Sequence, residues 1–291
     1  MGDRLEETVR LLEKVCDDVK YEARKQSMVV EGDYKKDGLL YCHICNQPKE
    51  TRFEFLDNVT VVPCLCRCGL EKRDAEEQQA KTQAKQIELI SARSRCFESK
   101  HLWKYTFDAC EAKDSVMYTT ALKYVENFDR MKDDGQGLLY FGSVGYGKTY
   151  IAASIANALI DKGYKCYMGS MASIAASMYD NDAKQKFLKD IKSYDLLIID
   201  DLGAERDTSY MEELVYLVID RRYHAHLPTV VTTNMTGDQL KKPTDHSRKR
   251  IISRLYEMCI FIEVSGKDRR RLENKENYDK YRELLGLPGK E

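Results

Sequence analysis

Short apolar runs recur along the second half of the chain, and segments with helical periodicity separate them. The runs are LLYF, YKCYMG, DLLIID, TVVTTN and CIFIEV. Runs of about four to eight apolar or β-branched residues are typical of strands. Their alternation with helices indicates parallel strands. The pattern therefore predicts an α/β domain whose helices cover both faces of a parallel sheet.

The first third of the chain follows a different pattern. Residues up to about Lys36 have the spacing of an amphipathic helix, and residues 39–71 form a cysteine-rich stretch with strand-like pieces, TRFEFL and VTVVPC. Residues 71–92 are charged and rich in Gln, Ala and Lys, which indicates a solvated helical connector. We predict an N-terminal domain at 1–71, a helical linker at 72–99 and a larger domain at 100–291. The apolar positions of the first helix are Leu5, Val9, Leu12, Val15 and Val19.

Composition narrows the class of protein. The chain has 291 residues, a net charge of −1, 33% charged residues and 43% hydrophobic residues, as expected of a soluble globular protein. No apolar run approaches membrane-spanning length, and the acidic, amphipathic start does not look like a signal peptide. We therefore expect a cytoplasmic protein with no membrane partner, whose ten cysteines are reduced thiols or metal ligands.

A glycine-rich loop follows the LLYF run and precedes an Ala-rich helical pattern. It fits G-x-x-x-x-G-K-[ST], in which backbone N–H groups bind phosphate oxygens. Lys148 would reach the β and γ phosphates and Thr149 would bind Mg²⁺, so the loop predicts ATP and Mg²⁺ as ligands. The glycine spacing is not G-x-G-x-x-G, which disfavours a dinucleotide fold. The loop residues are Gly142, Ser143, Val144, Gly145, Tyr146, Gly147, Lys148 and Thr149.

Acidic and amide side chains follow two later strands. In DLLIIDDLGAE, Asp200 and Asp201 end an apolar run. The first acid would hold the Mg²⁺ shell and the second would orient the attacking water. Asn234 ends the TVVTTN run, where it would lie near the γ phosphate and help to position that water.

Five cysteines lie in two short turns, Cys-His-Ile-Cys at 42–45 and Cys-Leu-Cys-Arg-Cys at 64–68. Two such turns can each supply a pair of thiolates to a tetrahedral Zn²⁺. With His43, six groups compete for four places. We favour Cys42, Cys45, Cys66 and Cys68 as ligands, with Cys64 as a spare or alternative. The other cysteines, Cys16, Cys96, Cys110, Cys166 and Cys259, read as buried apolar side chains.

Together these motifs resemble the AAA+ helicase loaders of bacteria and their phages, of the DnaC and DnaI type, with the transposition ATPase IstB as a near relative. GSVGYGKT, LLIIDDLGAE, VVTTN and RIISRLYE occur in the order of that family, over residues 106–271. The cysteine-rich N-terminal part is similar to DnaI rather than DnaC. The resemblance implies that Lys148 and Thr149 form the Walker A site, that Asp200 holds Mg²⁺, and that Asp201 occupies the water-activating position. It places Asn234 at sensor 1.

The resemblance also implies two catalytic arginines. Arg254 matches the arginine finger, with Arg250 as a rival, and Arg270 matches the sensor 2 arginine. The usual GxSxR pattern is GKDRR here, so Arg269 is a rival for sensor 2. The tail after Val264 looks too short for the usual helical lid. We therefore expect a slow ATPase that needs an arginine from a neighbouring subunit in an ATP-dependent oligomer.

The function implied by this resemblance is the loading of a hexameric replicative DNA helicase onto single-stranded DNA, with the N-terminal region docking the helicase. In related initiators the segment matching residues 170–194 contacts single-stranded DNA, and here it offers Met171, Met178, Lys184 and Lys186. Two alternatives remain open. One is an IstB-like transposase helper that acts on duplex DNA, and the other is a nucleotide-switched adaptor with little turnover.

Overall fold

The computed structural model describes residues 29–55, 58–204, 208–243, 246–265, 278, 280–282 and 284–286. The contacts divide the chain into two compact units, one up to Gln86 and one from Ile87 onward. The apolar positions of the predicted first helix, Leu5 to Val19, lie outside the described residues, as do Arg269 and Arg270. Most residues after Val264, on which the expected absence of a helical lid depends, also lie outside the described residues. The predicted domain boundaries stay predictions.

The N-terminal unit contains two β-hairpins. Strands β1 (Tyr34–Lys36) and β2 (Leu39–Tyr41) form the first, and β3 (Glu50–Phe55) and β4 (Asn58–Pro63) form the second. The strand-like pieces TRFEFL and VTVVPC are thus confirmed as strands.

The prediction of helix up to Lys36 is wrong at its end, because Tyr34–Lys36 is a strand. The residues that turn the first hairpin are Asp37 and Gly38, with φ of 51° and 78°. Asp-Gly at a two-residue loop favours the turn in which both residues have positive φ, and that turn matches the twist of paired strands. This local turn signal overrides the helical spacing that precedes it.

A long helix, α1 (Arg67–Cys96), follows the second hairpin. It confirms the helix predicted at 71–92 and extends it at both ends. Most of its side chains are exposed. Ion pairs between residues one turn apart, such as Glu77 and Lys81 at 2.6 Å, contribute to the stability of such an exposed helix. Among the described residues, no helix is both long enough and apolar enough to cross a bilayer.

The second unit is built on a five-stranded parallel sheet in the order β6-β7-β8-β5-β9. All five predicted strands are present, so the predicted α/β architecture is confirmed. The strands are β5 (Gly137–Phe141), β6 (Cys166–Ser170), β7 (Leu196–Leu202), β8 (Thr229–Thr233) and β9 (Cys259–Glu263). A 3₁₀ turn at Lys100–Lys104 precedes α2 (Val116–Glu126), α3 (Phe128–Asp133), α4 (Lys148–Asp161), α5 (Met171–Ala176), α6 (Asn181–Asp190), α7 (Ser209–His224), α8 (Gly237–Lys241) and α9 (His246–Met258).

Helices cover both faces of this sheet and bury two apolar clusters. One face packs on α4, through side chains such as Ile151 and Ile155, and the other packs on α7, through Leu214 and Val218. The central strands approach each other closely at Gly137, where a Cβ atom would lie 1.8 Å from the Thr229 carbonyl oxygen. Only glycine fits there, because any side chain would separate β5 from β8.

The start of α7 differs by one residue from the predicted capping box. The pattern Ser209-x-x-Glu212 predicts Ser209 as the N-cap. In the structure Thr208 is the N-cap, and its hydroxyl accepts a hydrogen bond from the Met211 N–H at 3.2 Å. Both Ser and Thr are favoured N-cap residues, so the sequence pattern alone does not decide between two that are neighbours.

Candidate functional site

The glycine-rich loop joins the end of β5 to the start of α4. Gly142, Gly145 and Gly147 have φ of 131°, 90° and 84°, so the backbone turns through conformations that favour glycine. Lys148 is buried, and its ammonium donates to the carbonyl oxygens of Gly142 at 2.8 Å and Ser143 at 2.7 Å. The loop therefore curls around a cation at the N-terminus of a helix, an arrangement suited to anions.

Asp200 lies beside Thr149 at the end of β7. Its Oδ1 accepts hydrogen bonds from the Thr149 hydroxyl at 3.0 Å and the Thr232 hydroxyl at 2.6 Å. Burial raises the pKa of the Asp200 carboxyl above its ordinary value, although both hydroxyl donors lower it. A cation near Asp200 and Thr149 would offset that burial cost. These two oxygen donors fit Mg²⁺, which prefers carboxylate and other hard oxygen ligands.

Asp201 and Asn234 meet at the same edge of the sheet. Strand β8 lies between β5 and β7, so Asn234 follows a strand that separates the glycine-rich loop from the acidic pair. The Asn234 side-chain amide donates to Asp201 Oδ1 at 3.3 Å, and the Asp201 N–H donates to the Thr232 hydroxyl at 2.9 Å. Asp201 has φ of 52°, a left-handed conformation fixed by these contacts.

A cleft of about 330 Å³ opens over the loop. Asp201 and Asn234 line it together with loop residues 144–149. The structure therefore brings together the phosphate-loop, water-orienting and sensor residues predicted from the sequence. It adds Thr232, whose only sequence signal is a hydroxyl residue two positions before Asn234. It also adds a wall made of Leu102, Tyr105, Ala109 and Glu111, which no motif indicates.

A protein-family model described as "IstB-like ATP binding protein" matches residues 70–277, which is more than half of the chain. The chain belongs to the IstB-like ATP-binding family. The phosphate loop, the acidic pair and Asn234 all fall inside the matched range, whereas the cysteine cluster lies before it.

Curated relatives of this IstB-like chain include two proteins named as replicative helicase loaders. DnaC of Escherichia coli (strain K12) is 28% identical over 138 residues, covering 46% of this chain and 55% of DnaC. DnaI of Bacillus subtilis (strain 168) is 30% identical over 150 residues, covering 47% of this chain and 48% of DnaI. The chain thus spans about half the length of the curated relatives it matches. The predicted resemblance to DnaC and DnaI is confirmed.

A crystal structure of DnaI is 25% identical to the IstB-like chain, with a TM-score of 0.50, and covers 60% of this chain and 95% of the DnaI chain. The parallel sheet, its flanking helices and the phosphate loop form an AAA+-type P-loop ATPase fold, as the sequence predicted.

The two candidate finger arginines lie on α9 of the IstB-like domain. Arg254 forms an ion pair with Asp220 of α7 at 2.5 Å, and its guanidinium lies 4.4 Å from the centre of the Tyr216 ring. Arg250 contacts the same ring at 4.2 Å. Neither arginine is among the described residues that line the cleft. The structure therefore does not bring the predicted finger to the phosphate loop of its own chain.

The predicted DNA-contacting segment is partly corrected. Residues 170–194 form α5 and α6, but Met171 and Met178 are each 1% exposed and belong to the apolar cluster under α7. They cannot present side chains to DNA while that core is packed. Lys184 is paired with Glu213 at 3.8 Å. Met171 begins α5 and Met178 follows that helix, and sequence spacing alone could not show that both side chains are buried.

In the N-terminal unit, the thiol sulfurs of Cys42, Cys45 and Cys66 all lie within 4.8 Å of one another. Backbone N–H groups of Cys68 and Gln47 donate to the Cys45 sulfur and lower the pKa of that thiol to about 6. The Cys68 thiol also contacts Cys45, which raises the pKa of Cys68 to about 11. Three thiols thus lie close enough to share one metal ion, and Cys68, which contacts Cys45, is the candidate fourth ligand for the tetrahedral set that Zn²⁺ prefers.

The remaining cysteines follow the prediction in part. The Cys64 thiol donates to the Pro48 carbonyl oxygen at 3.5 Å, so it points to the backbone. Cys96, Cys110, Cys166 and Cys259 are buried, as predicted, and Cys16 lies outside the described residues. Asp33 supports the first turn by accepting from the Lys49 ammonium at 2.5 Å and the His43 N–H at 3.2 Å.

Proposed function

We propose that this chain is an ATP-dependent loader that places a hexameric replicative DNA helicase on single-stranded DNA during replication initiation. The observation that carries this proposal is the similarity to DnaC and DnaI, two proteins named as replicative helicase loaders. The chain also has a complete set of nucleotide-site residues: Lys148, Thr149, Asp200 and Asp201. A protein that neither binds nor hydrolyses ATP would not need all four.

The proposed chemistry is hydrolysis of ATP at the cleft. Lys148 would exchange the carbonyl oxygens of the loop for phosphate oxygens, and the loop N–H groups would bind the phosphates. Thr149 and Asp200 would hold Mg²⁺, which neutralises charge on the phosphates when it is bound. Asp201, oriented by Asn234 and Thr232, would orient a water molecule for in-line attack on the γ phosphate and accept its proton.

We propose that hydrolysis is slow in the isolated chain and depends on assembly. Arg254 is held by Asp220 and Tyr216 and is not among the described residues lining its own cleft. In an oligomer, Arg254 would instead enter the nucleotide cleft of a neighbouring subunit. An arginine supplied in this way accelerates phosphoryl transfer by about 10³–10⁵. ATP would then act mainly as a switch for forming an oligomer.

The N-terminal unit is the proposed docking element for the helicase, and its cysteine cluster is the proposed site of a structural Zn²⁺. Cys42, Cys45, Cys66 and Cys68 would be its ligands. Reduced thiols of this kind suit the cytoplasm, where we expect the reaction to occur. The single-stranded DNA surface would lie on the ATPase unit, and Lys184 and Lys186 remain its proposed contacts.

A loading assay tests this proposal. Full-length protein with ATP and a replicative helicase should increase the amount of helicase bound to single-stranded DNA. Lys148→Ala should not, because the charge that faces the phosphates is lost. The matched control is Lys81→Ala, which removes an exposed lysine of α1. Lys186 is also exposed, but it does not serve as a control because it is a proposed DNA contact.

The family match itself supports a second candidate, an IstB-like helper of a transposase on duplex DNA. If the protein ignores every replicative helicase offered but binds duplex DNA and a transposase, the loader proposal fails and this one replaces it. A third candidate, a nucleotide-switched adaptor, would bind ATP yet show no turnover in any assembled state.

A further inference from the structure

The wall of the nucleotide cleft formed by Leu102, Tyr105, Ala109 and Glu111 lies outside the phosphate loop and the acidic edge of the sheet, and three of its four residues are apolar or aromatic. Two of its members, Leu102 and Tyr105, are half-buried and pack against the apolar cluster under α4. Most of the charged and backbone polar groups of the cleft lie on the opposite side, in the phosphate loop and at Asp201 and Asn234. One side of the cleft is therefore suited to phosphate groups. The wall, through Leu102, Tyr105 and Ala109, offers apolar surface to another part of a ligand.

Tyr105 is the aromatic residue of this wall, and its ring is fixed relative to the phosphate loop. The ring stacks on that of Tyr150, with centroids 4.5 Å apart and an angle of 30°. Tyr150 directly follows Thr149, and its hydroxyl donates to the Thr106 carbonyl oxygen at 2.9 Å. The Tyr105 hydroxyl also bonds with His101 Nε2 at 2.9 Å. These contacts connect the Tyr105 ring to the residue that follows the phosphate loop.

Asn157 ties the same wall to the helix that begins at the loop. Its side chain is 1% exposed, and its amide donates to the carbonyl oxygens of Leu102 and Tyr105, each at 2.9 Å. Its Oδ1 accepts from Arg93 Nε at 3.1 Å. A buried amide with every one of these bonds made holds its partners in one arrangement. Asn157 therefore fixes the backbone that carries Tyr105.

We propose that Tyr105 contacts the nucleobase of the bound nucleotide and that Asn157 positions Tyr105 for that contact. This inference rests on the proposed ATP-binding function. Once the loop holds the triphosphate, the ribose and the base extend into the remaining cleft, where the wall presents apolar and aromatic surface. Ligand sites pair such surfaces with a few polar groups, and flat bases bind well to aromatic side chains. Tyr105 is the positioned aromatic group of that wall.

The test compares ATP with inorganic triphosphate, which has phosphates but no base, on the full-length protein with Mg²⁺. Tyr105→Ala should weaken ATP binding about tenfold, as loss of one stacking contact does, and change triphosphate binding by less than about twofold. Tyr105→Phe should keep ATP affinity, because the ring rather than the hydroxyl makes the contact. Asn157→Ala should follow Tyr105→Ala in direction. Trp103, the one tryptophan of the chain, lies between Leu102 and Tyr105 and provides a fluorescence signal.

Controls separate this inference from the function on which it rests. Tyr179→Ala removes a tyrosine that is 82% exposed and should change neither affinity. Lys148→Ala should weaken both ligands. Equal loss of ATP and triphosphate in Tyr105→Ala, or no loss of either, overturns the inference while the ATP site stands. If wild-type protein binds neither ligand, both proposals fail. Should Tyr105→Ala not fold, Tyr105→Leu retains apolar bulk without the aromatic face and must show the same selective loss.

Discussion

At the scale of single residues, Asp200 combines a buried carboxyl with two hydroxyl donors. Burial raises its pKa above the ordinary value of 3.8, so the protonated form persists to higher pH in the metal-free folded state than in the unfolded chain. A raised pKa contributes stability that is fully present below the unfolded value and is lost as pH rises through the folded value. At neutral pH the charged Asp200 therefore destabilises the metal-free protein.

We expect Asp200→Asn to leave the metal-free protein as stable at neutral pH as the wild type, or more stable. The amide oxygen can still accept from Thr149 and Thr232, and no charge is buried. Mg²⁺-dependent ATP hydrolysis should fall by about 10²-fold, because a charged metal ligand is lost. Thermal unfolding without Mg²⁺, measured from acid to neutral pH, should show a flatter pH dependence in the variant.

Asp182→Asn, an exposed substitution on α6, is the control for this comparison and should match the wild type in both measurements. A clear loss of metal-free stability in Asp200→Asn would mean that the negative charge itself holds Thr149 and Thr232 in place.

At the scale of elements, Arg222 on α7 joins its helix to two backbone segments, residues 191–195 and the residue before β8. It is fully buried and donates to the carbonyl oxygens of Ile191 and Tyr194, each at 2.7 Å, and to those of Asp195 and Pro228. Burial lowers its pKa to about 10. These carbonyls precede β7 and β8, so the guanidinium fixes the edge of the sheet remote from the carboxyl ends of the strands.

Arg222→Met should lower the free energy of unfolding by about 3 kcal/mol, since several buried carbonyl oxygens lose their donor. Chemical denaturation followed by circular dichroism measures this value. Arg221→Met is the matched control, because Arg221 is exposed on the same helix, and it should change stability by less than about 0.5 kcal/mol. Equal effects of the two substitutions would contradict the role given to Arg222.

The two cysteine turns lead to a separate prediction about metal. Purified protein should contain about one Zn²⁺ per chain, held by four thiolates. Cys42→Ser or Cys45→Ser should release it, while Cys64→Ser should retain it, because the Cys64 thiol bonds to the Pro48 carbonyl. Metal analysis of the purified variants measures this. Protein prepared without chelator that contains no zinc would end the proposal, and loss of zinc in Cys64→Ser alone would correct the ligand set.

The elements that could be predicted from sequence are those whose signal is local. The five strands of the sheet, α1 and the phosphate loop each have their pattern within a few neighbouring residues. The β1–β2 hairpin has a local signal, Asp37-Gly38, but the prediction of helix up to Lys36 rests on apolar spacing that ends at Val19 and gives no weight to that signal. Burial of Met171 and Met178 depends on α7, which is distant in sequence, so no local pattern could reveal it.

The candidate site divides in the same way. Asp200 and Asp201 lie at the carboxyl end of a strand, and Lys148 and Asn234 come after the carboxyl ends of two others, so their meeting at one sheet edge follows from parallel topology. The cleft wall at Leu102 and Tyr105 is held by Asn157, more than 50 positions later in the chain. Contacts between residues so far apart in the chain form only when the whole domain packs, and the spacing of residues in the sequence does not predict them.

At the scale of the whole molecule, the position of Arg254 bears on assembly. We expect Arg254→Ala to bind ATP as the wild type does but to lose the part of its turnover that rises with protein concentration. That loss should approach 10³-fold if Arg254 is supplied to a neighbour's γ phosphate. ATPase rates measured over a range of protein concentrations test this.

Arg250→Ala distinguishes the two candidate arginines on α9. If it loses concentration-dependent turnover while Arg254→Ala keeps it, the finger is Arg250. If both variants behave as wild type, neither arginine acts on a neighbouring subunit.

The buried cysteines of the ATPase unit have a consequence for covalent labelling. Burial raises the pKa of the thiols of Cys96, Cys166 and Cys259, so the folded unit presents little thiolate to an alkylating reagent. Iodoacetamide would therefore modify them only when that unit opens, and bound ATP would slow this step. The proposed zinc ligands would instead react at a rate set by metal release. Mass spectrometry of samples labelled for increasing times would then give two rates: the rate at which the ATPase unit opens, and the rate at which the N-terminal unit releases its metal.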